Sequence, residues 1–216
     1  MNQSFYYNKV AVLLPWSNLT PANIPKDYHS YYKHFETFMD KINEVKNQLE
    51  WNPNLGKHYT GKFTEGKRDG NGEFWYENGD FYRGKYESNK RSGQGICLFN
   101  DGRAYNGEWK NDFFYGVGAY LTKEGNIIEG HYCGNELNPF KMRSDSDLKI
   151  LFKNGELYDG KGRNGKRDGK GKFIYLDGSV YEGQWENDKR QGNGQLSISN
   201  ESVIKGYWNK DKLEDC

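Results

Sequence analysis

Cysteine is scarce in this chain. Cys97, Cys133 and Cys216 make an odd number, and no two have the Cys-x-x-Cys spacing of a zinc or redox motif. That excludes a disulfide framework and a cysteine-built metal site, and it points to a reducing compartment. Excess charge is missing too. The 31 Lys and Arg face 30 Asp and Glu, a formal net charge of +1, so no global field draws in nucleic acid or an anionic membrane. Long apolar runs are also absent. The run "VAVLLPW" from Val10 is too short to span a bilayer and lacks a small-residue cleavage site, so neither a signal peptide nor a transmembrane segment is expected. Hydrophobic residues are only 34% of the chain, a level that by itself suggests poor folding. Rings and glycines take their place: 17 Tyr, 12 Phe, 6 Trp and 27 Gly in 216 residues. Rings and glycines with few aliphatic side chains point to sheets and tight turns rather than packed helices.

The glycines recur in a frame. The seven-residue phrase "GKRDGNG" at Gly66 returns as "GKRDGKG" at Gly165. Seven units align on their first residue: Tyr59, Tyr82, Tyr105, Ile128, Tyr158, Tyr181 and Ile204, with steps of 23, 23, 23, 30, 23 and 23. The third position is Gly in every unit. The fifth is Phe63, Tyr86, Trp109, Tyr132, Trp185 or Trp208, but Gly162 in the fifth unit. Gly-x-Gly follows in five units, as Gly70/Gly72, Gly93/Gly95, Gly116/Gly118, Gly169/Gly171 and Gly192/Gly194. The pattern predicts one β-hairpin per unit. Odd positions of its first strand show ring, glycine, ring on one face, and polar residues stand on the other. Glycine leaves a slot where neighbouring rings lie flat. One hairpin is marginal alone, so the units must stack.

The phrases "YNGEWKNDFFYGVGAY" and "YEGQWENDKRQGNG" resemble the MORN repeat (membrane occupation and recognition nexus), and the likeness runs from Tyr59 to Leu213. The resemblance implies an all-β repeat: an elongated, twisted single-layer array of β-hairpins. It also implies scaffolding roles in cytoskeletal, ciliary, axonemal and membrane-junction proteins, with dimers in some members.

Two segments depart from the frame. The fourth unit loses its Gly-x-Gly to "NELNPFKMRSDSDLK", so residues 138–148 are expected to form a surface loop between two stacks. Asp145–Asp147 there begins like a calcium loop but lacks the required glycine. The second segment is 1–57, ahead of seven repeats over 58–216. In it Tyr28, Tyr31, Phe35, Phe38, Ile42, Val45 and Leu49 keep 3-4 spacing. They predict an amphipathic helix over about 26–50, started by Pro25 and followed by Pro53. This stripe is a candidate partner interface, and its alternative seat is the chain's own sheet. Trp75, Ile96, Leu98 and Leu121, with Ile174 later, put apolar groups on the polar face of the array, so something should cover them. The Tyr-rich "SFYYNKVAVLL" suggests a strand added to a neighbouring sheet.

Chemistry is thin. "GKGRNG" at Gly160 fits Gly-x-Gly-x-x-Gly, yet it lies inside the repeat frame without the strand-to-helix context a dinucleotide needs. His29 and His34 miss the one-face spacing of a helical metal pair, and His58 and His131 are isolated. No catalytic residue, metal or cofactor is expected. Two functions stay open. The first is a non-catalytic scaffold holding other proteins of a multi-subunit assembly, cytoplasmic and most plausibly cytoskeletal or ciliary, with a homodimer open. The second is peripheral binding of anionic phospholipid through the recurring basic pairs Lys67–Arg68, Lys90–Arg91, Lys166–Arg167 and Lys189–Arg190. Balanced charge favours the first. A third reading is an accessory module of an enzyme complex.

Overall fold

A computed structural model describes residues 26–49, 57–198 and 202–214. The segment "SFYYNKVAVLL", residues 4–14, lies outside them, as does the proline-rich stretch after it. Within the described residues one sheet holds fourteen antiparallel strands in chain order. The first seven are β1 (His58–Thr64), β2 (Lys67–Trp75), β3 (Phe81–Glu87), β4 (Lys90–Leu98), β5 (Ala104–Lys110), β6 (Phe113–Leu121) and β7 (Ile127–Cys133). The rest are β8 (Ser146–Leu151), β9 (Leu157–Arg163), β10 (Lys166–Ile174), β11 (Val180–Glu186), β12 (Lys189–Ile198), β13 (Ser202–Asn209) and β14 (Lys212–Leu213).

The hairpin tips explain the close spacing. Two-residue tips such as Asn111–Asp112 and Asn187–Asp188 hold both residues in the left-handed region (φ 52° and 73°, 49° and 70°). Such turns match the twist of the strands they join. Asn and Asp tolerate that conformation better than other non-glycine residues. At the opposite ends the chain turns through Asx-Gly or Glu-Gly, as in Tyr76–Asp80. There the Tyr76 N–H donates to the Asp80 carbonyl (3.0 Å) and the Gly79 N–H to the Tyr76 carbonyl (3.0 Å).

Glycines cross the sheet in a line. Gly61, Gly72, Gly84, Gly95, Gly107, Gly118 and Gly130 pair in succession from β1 to β7, and Gly160, Gly171, Gly183, Gly194 and Gly206 do so from β9 to β13. The first Tyr of each unit lies across two of them. A Cβ on Gly107 would stand 2.6 Å from the Tyr105 hydroxyl and 2.5 Å from the Gly118 Cα. Each such hydroxyl donates to a carbonyl three residues on: Tyr82 to Lys85 (3.0 Å), Tyr105 to Glu108 (2.9 Å), Tyr158 to Lys161 (2.6 Å). The ring thus fills the glycine slot and ends in a hydrogen bond, so the polar tip is not stranded.

The departure in the fourth unit begins and ends earlier than expected and does not divide the sheet. Residues 146–148 belong to β8, which pairs with both β7 and β9, so the irregular loop is 134–145. Three side chains take over from missing rings. Ile128 stands where a Tyr would lie over Gly130, and Met142 fills that space. The fifth unit has Gly162 where the ring of other units stands. The Leu148 side chain occupies the gap, with Cδ2 2.6 Å from where a Gly162 Cβ would be. Leu213 covers Gly206 in the same way after Ile204. Met142 and Leu148 are both buried.

Two apolar layers result. One face carries the rings, among them Tyr82, Tyr105, Trp109, Tyr158, Tyr181 and Trp185. The other face carries Phe81, Ile96, Leu98, Ala104, Leu121, Ile127, Leu151, Leu157 and Ile174. Helix α1 (His29–Gln48), entered through a 3-10 turn at Lys26–Tyr28, buries Phe35, Phe38, Ile42 and Val45 there. Its 20 residues extend about 30 Å, the width of roughly six strands at ~4.8 Å each. It runs against the strand order. Tyr28 meets Lys172 of β10, the Tyr32 hydroxyl donates to the Gly155 carbonyl (2.9 Å), His34 pairs with Glu129 of β7, and Gln48 accepts from Arg83 of β3 (2.8 Å).

Candidate binding surfaces

The helix stripe put forward as a partner interface is used inside the molecule. Phe35 and Ile42 are almost wholly buried against the sheet, and Tyr28, Tyr31 and Leu49 pack half-buried on the same layer. Of the second-face residues, Ile96, Leu98 and Leu121 lie in the layer that α1 covers, and Trp75 packs at its margin. The physical reason is complementarity. A 20-residue apolar stripe and an apolar band of similar length on the same chain meet without the cost of association.

The eight basic residues divide into two groups. Lys67, Lys90, Lys166 and Lys189 are exposed. The arginines beside them are structural. The guanidinium of Arg91 lies 4.2 Å from the Trp109 ring centroid, Arg167 lies 4.3 Å from Trp185, and Arg190 lies 4.1 Å from Trp208. Each also binds the next hairpin's tip. Arg91 Nε donates to the Asp112 carboxylate (3.1 Å) and Nη2 to the Asp112 carbonyl (2.9 Å), and Asp188 and Asp211 serve Arg167 and Arg190 alike. Arg68 uses Asn89 and lies over Tyr86 (4.8 Å). Each arginine is therefore a latch from one unit to the next, and it brings only part of its charge to solvent.

The residue at each tip follows this rule. Asn89, Asp112, Asp188 and Asp211 receive an arginine from the unit before. Gly66 and Gly165, the glycines that open the twin phrase, start a run and receive none among the described residues. Sequence reasoning missed this link, although the alternation of Gly and Asx at that position carried it. Where the third unit has Phe114 in place of arginine, the ring stacks on Tyr105 (3.5 Å) and packs by Phe140 (4.9 Å).

The face opposite the helix keeps a row of half-buried side chains near the Asx-Gly turns: Tyr76, Phe99, Tyr120, Phe152 and Tyr175. Tyr76 leans on Phe74 (4.5 Å) and Tyr175 on Phe173 (4.7 Å). Arg103, held by Asp101 (2.8 Å), lies over Phe99 (4.6 Å). Phe140 of the 134–145 loop stacks on Tyr120 (5.9 Å), and Leu137 beside it is 96% exposed. Reactive groups are muted. Burial pushes the Cys97 thiol up to about 12, so it stays protonated and is a poor nucleophile. Burial likewise raises the hydroxyls of Tyr82, Tyr105 and Tyr158. Among the described residues no three His, Cys, Asp or Glu converge as metal ligands, and no helix is long and apolar enough to cross a membrane.

No curated protein sequence matches the chain. Among solved structures it is similar to the TCP10c domain of Drosophila melanogaster Sas-4 at 12% identity, with 71% of this chain and 88% of that one covered and a TM-score of 0.42. It is also similar to the Sas-4 TCP domain from the same organism in complex with a proline-rich motif of Ana2 (16%, 71% and 90%, 0.28). A mutant TCP10 domain of Danio rerio CPAP is a third (14%, 74% and 81%, 0.32). Likenesses this distant carry nothing about partners or location. The family model described as "MORN repeat" matches 59–81, 82–102, 105–127, 158–180 and 181–203, the five units that begin with Tyr. The two that begin with Ile128 and Ile204, where Met142 and Leu213 replace the ring, fall outside these matches. The matched stretches make up more than half of the chain, and on them it belongs to the MORN repeat family.

Proposed function

We propose that this protein is a non-catalytic scaffold that binds other proteins of a larger assembly through the ring-bearing face of its sheet. One observation carries the reading: α1 covers one face from β3 to β10, while the opposite face keeps the row Tyr76, Phe99, Tyr120, Phe152 and Tyr175 half-open to solvent. Rings held by their neighbours lose little entropy when a partner covers them, and such aromatic anchors dominate protein interfaces. Cytoskeletal or ciliary placement is the proposed setting, on the family resemblance. Phospholipid binding ranks lower, because the arginines of the basic pairs are committed to latches and the lysines stand among acidic tips.

The test is recovery of the protein with the detergent-insoluble cytoskeleton and its bound proteins. Wild type is set beside a Tyr76→Lys/Tyr175→Lys variant, each also assayed for flotation on phosphatidylserine vesicles. The reading predicts that the variant keeps its melting temperature within a few degrees, loses the bound proteins and leaves the insoluble fraction, with neither form floating. Flotation of both forms, with the insoluble fraction unchanged, would contradict it.

A further inference from the structure

The last strands differ from the rest of the sheet. Val203, Ile204, Tyr207 and Leu213 are 55%, 37%, 47% and 40% exposed, and Ile198 is exposed beside them. They share one open edge. β14 pairs with β13 only at Trp208 and Asn209, which leaves Ser202–Tyr207, on the side away from β12, without a strand among the described residues. The Glu214 N–H donates to the Tyr207 carbonyl (2.9 Å), so the Tyr207 peptide faces away from β12. Outward peptides recur at every second residue of a strand, so those of Lys205 and Val203 face outward too. Cross-strand pairing sets Val203 with Ser197 on the helix side and Ile204 with Leu196 on the ring side. The edge therefore shows apolar groups on both faces, a condition that proteins ordinarily avoid on a free strand.

We propose that residues 4–14 of this same chain add as a strand to the open edge of β13. Three observations choose this occupant. The first is direction. The start of α1 lies over β10, through Tyr28 at Lys172, and its end lies by β3, through Gln48 at Arg83. The chain ahead of the helix therefore leaves on the β13 side and not on the β1 side. The second is reach. A strand beyond β13 is four spacings from β10, about 19 Å at ~4.8 Å each. Residues 15–25 span up to about 36 Å when extended. The third is composition. In "SFYYNKVAVLL" both alternating sets are mostly apolar: Tyr6, Val10, Val12 and Leu14 in one, interrupted by Asn8, and Phe5, Tyr7, Ala11 and Leu13 in the other, interrupted by Lys9. That suits a site with an apolar neighbour on each face. The first strands of the repeats are polar on one side, and β1, at the far edge, shows Thr60, Lys62 and Thr64 there.

Hydrogen exchange of the full-length protein tests this, comparing wild type with Val10→Pro/Ala11→Pro. Two adjacent prolines remove an N–H from each side of the segment, so one is lost whichever side meets β13. The expected result is exchange at Val203 and Lys205 at least tenfold faster in the variant, with β3–β10 unchanged and the wild-type rates independent of protein concentration. Equal rates in the two proteins, fast or slow, would overturn the proposal. Protection that fades on dilution together with a dimer seen by light scattering would also overturn it, since the edge would then be covered by a second copy.

Discussion

Gly107 and Gly66 are both glycines of the repeat, and the structure asks different things of them. Gly107 is needed for space, because the Tyr105 ring and the Gly118 backbone fill the position of a Cβ. Gly66 has φ +73° and nothing within 4 Å of a Cβ. The same tip position holds Asn89 or Asp112 in later units, also at positive φ. Gly107→Ala should therefore cost about 1–3 kcal/mol or more through overpacking, and Gly66→Asn less than about 1 kcal/mol. Urea titration of both variants against wild type checks the contrast, and equal midpoint shifts would refute the division of roles. The repeat frame and the glycine slots were legible in the sequence, because a period of 23 shows which residues must share a place. The latches were not. The ring under Arg91 is Trp109, in the following unit, and Lys-Arg at a hairpin tip reads locally as a solvated pair.

At the scale of the element, a hairpin is joined to the next by strand pairing, by Tyr and Trp rings set edge to face, and by one arginine. Tyr82 and Trp109 show the ring contact at 5.2 Å and 84°. Arg91 adds ring stacking and a tip bond together, with its side chain 19% exposed. Lysine keeps the charge but has no planar group to lie on Trp109. Arg91→Lys should destabilise by about 1–2 kcal/mol, whereas Lys90→Arg next to it should shift the melting temperature little. A thermal melt of the two variants checks this, and equal effects would mean that the arginine contributes charge alone. The 134–145 insertion and the strand after it follow the same logic of substitution, since Met142 and Leu148 fill spaces that a regular unit would fill with its own rings. Sequence reasoning saw the break but placed its end inside β8. Plugs of this kind have no local signature, only a partner across the sheet. The helix stripe was likewise plain from its spacing, but spacing does not say what a stripe will meet.

Across the whole molecule, strand pairing is confined to neighbours in the sheet and ring contacts such as Tyr82–Trp109 reach only the next unit, as in other repeat arrays. Helix α1 is the exception, since it touches strands on both sides of the insertion and joins the two runs of hairpins through one apolar layer. The many buried hydroxyls add a pH limit. Burial pushes Tyr32 and Tyr181 up to about 12, and Tyr82, Tyr105 and Tyr158 are raised as well. Unfolded tyrosine ionises near pH ~10. Above that pH the folded chain holds more protons than the unfolded one, so stability falls as pH rises. All five contribute fully below about pH 9; Tyr32 and Tyr181 lose their contribution between about 10 and 12, and the other three as the pH rises further. Tyrosinate absorbance should rise together with loss of the sheet signal. Early ionisation of most tyrosines in a folded chain would contradict the burial described.

The central claim is that α1 belongs to the sheet's core, so that partners must use the face with the rings. Urea unfolding of wild type and Ile42→Ala, followed at once by far-ultraviolet circular dichroism and by tryptophan fluorescence, tests it most directly. Ile42 of α1 is fully buried against the sheet, and its truncation should cost about 2–5 kcal/mol. If helix and sheet are one unit, both signals shift together to lower urea by the same amount. If circular dichroism shows an early loss of helix while the tryptophan transition stays at its wild-type midpoint, the helix is a separable arm and the claim is wrong.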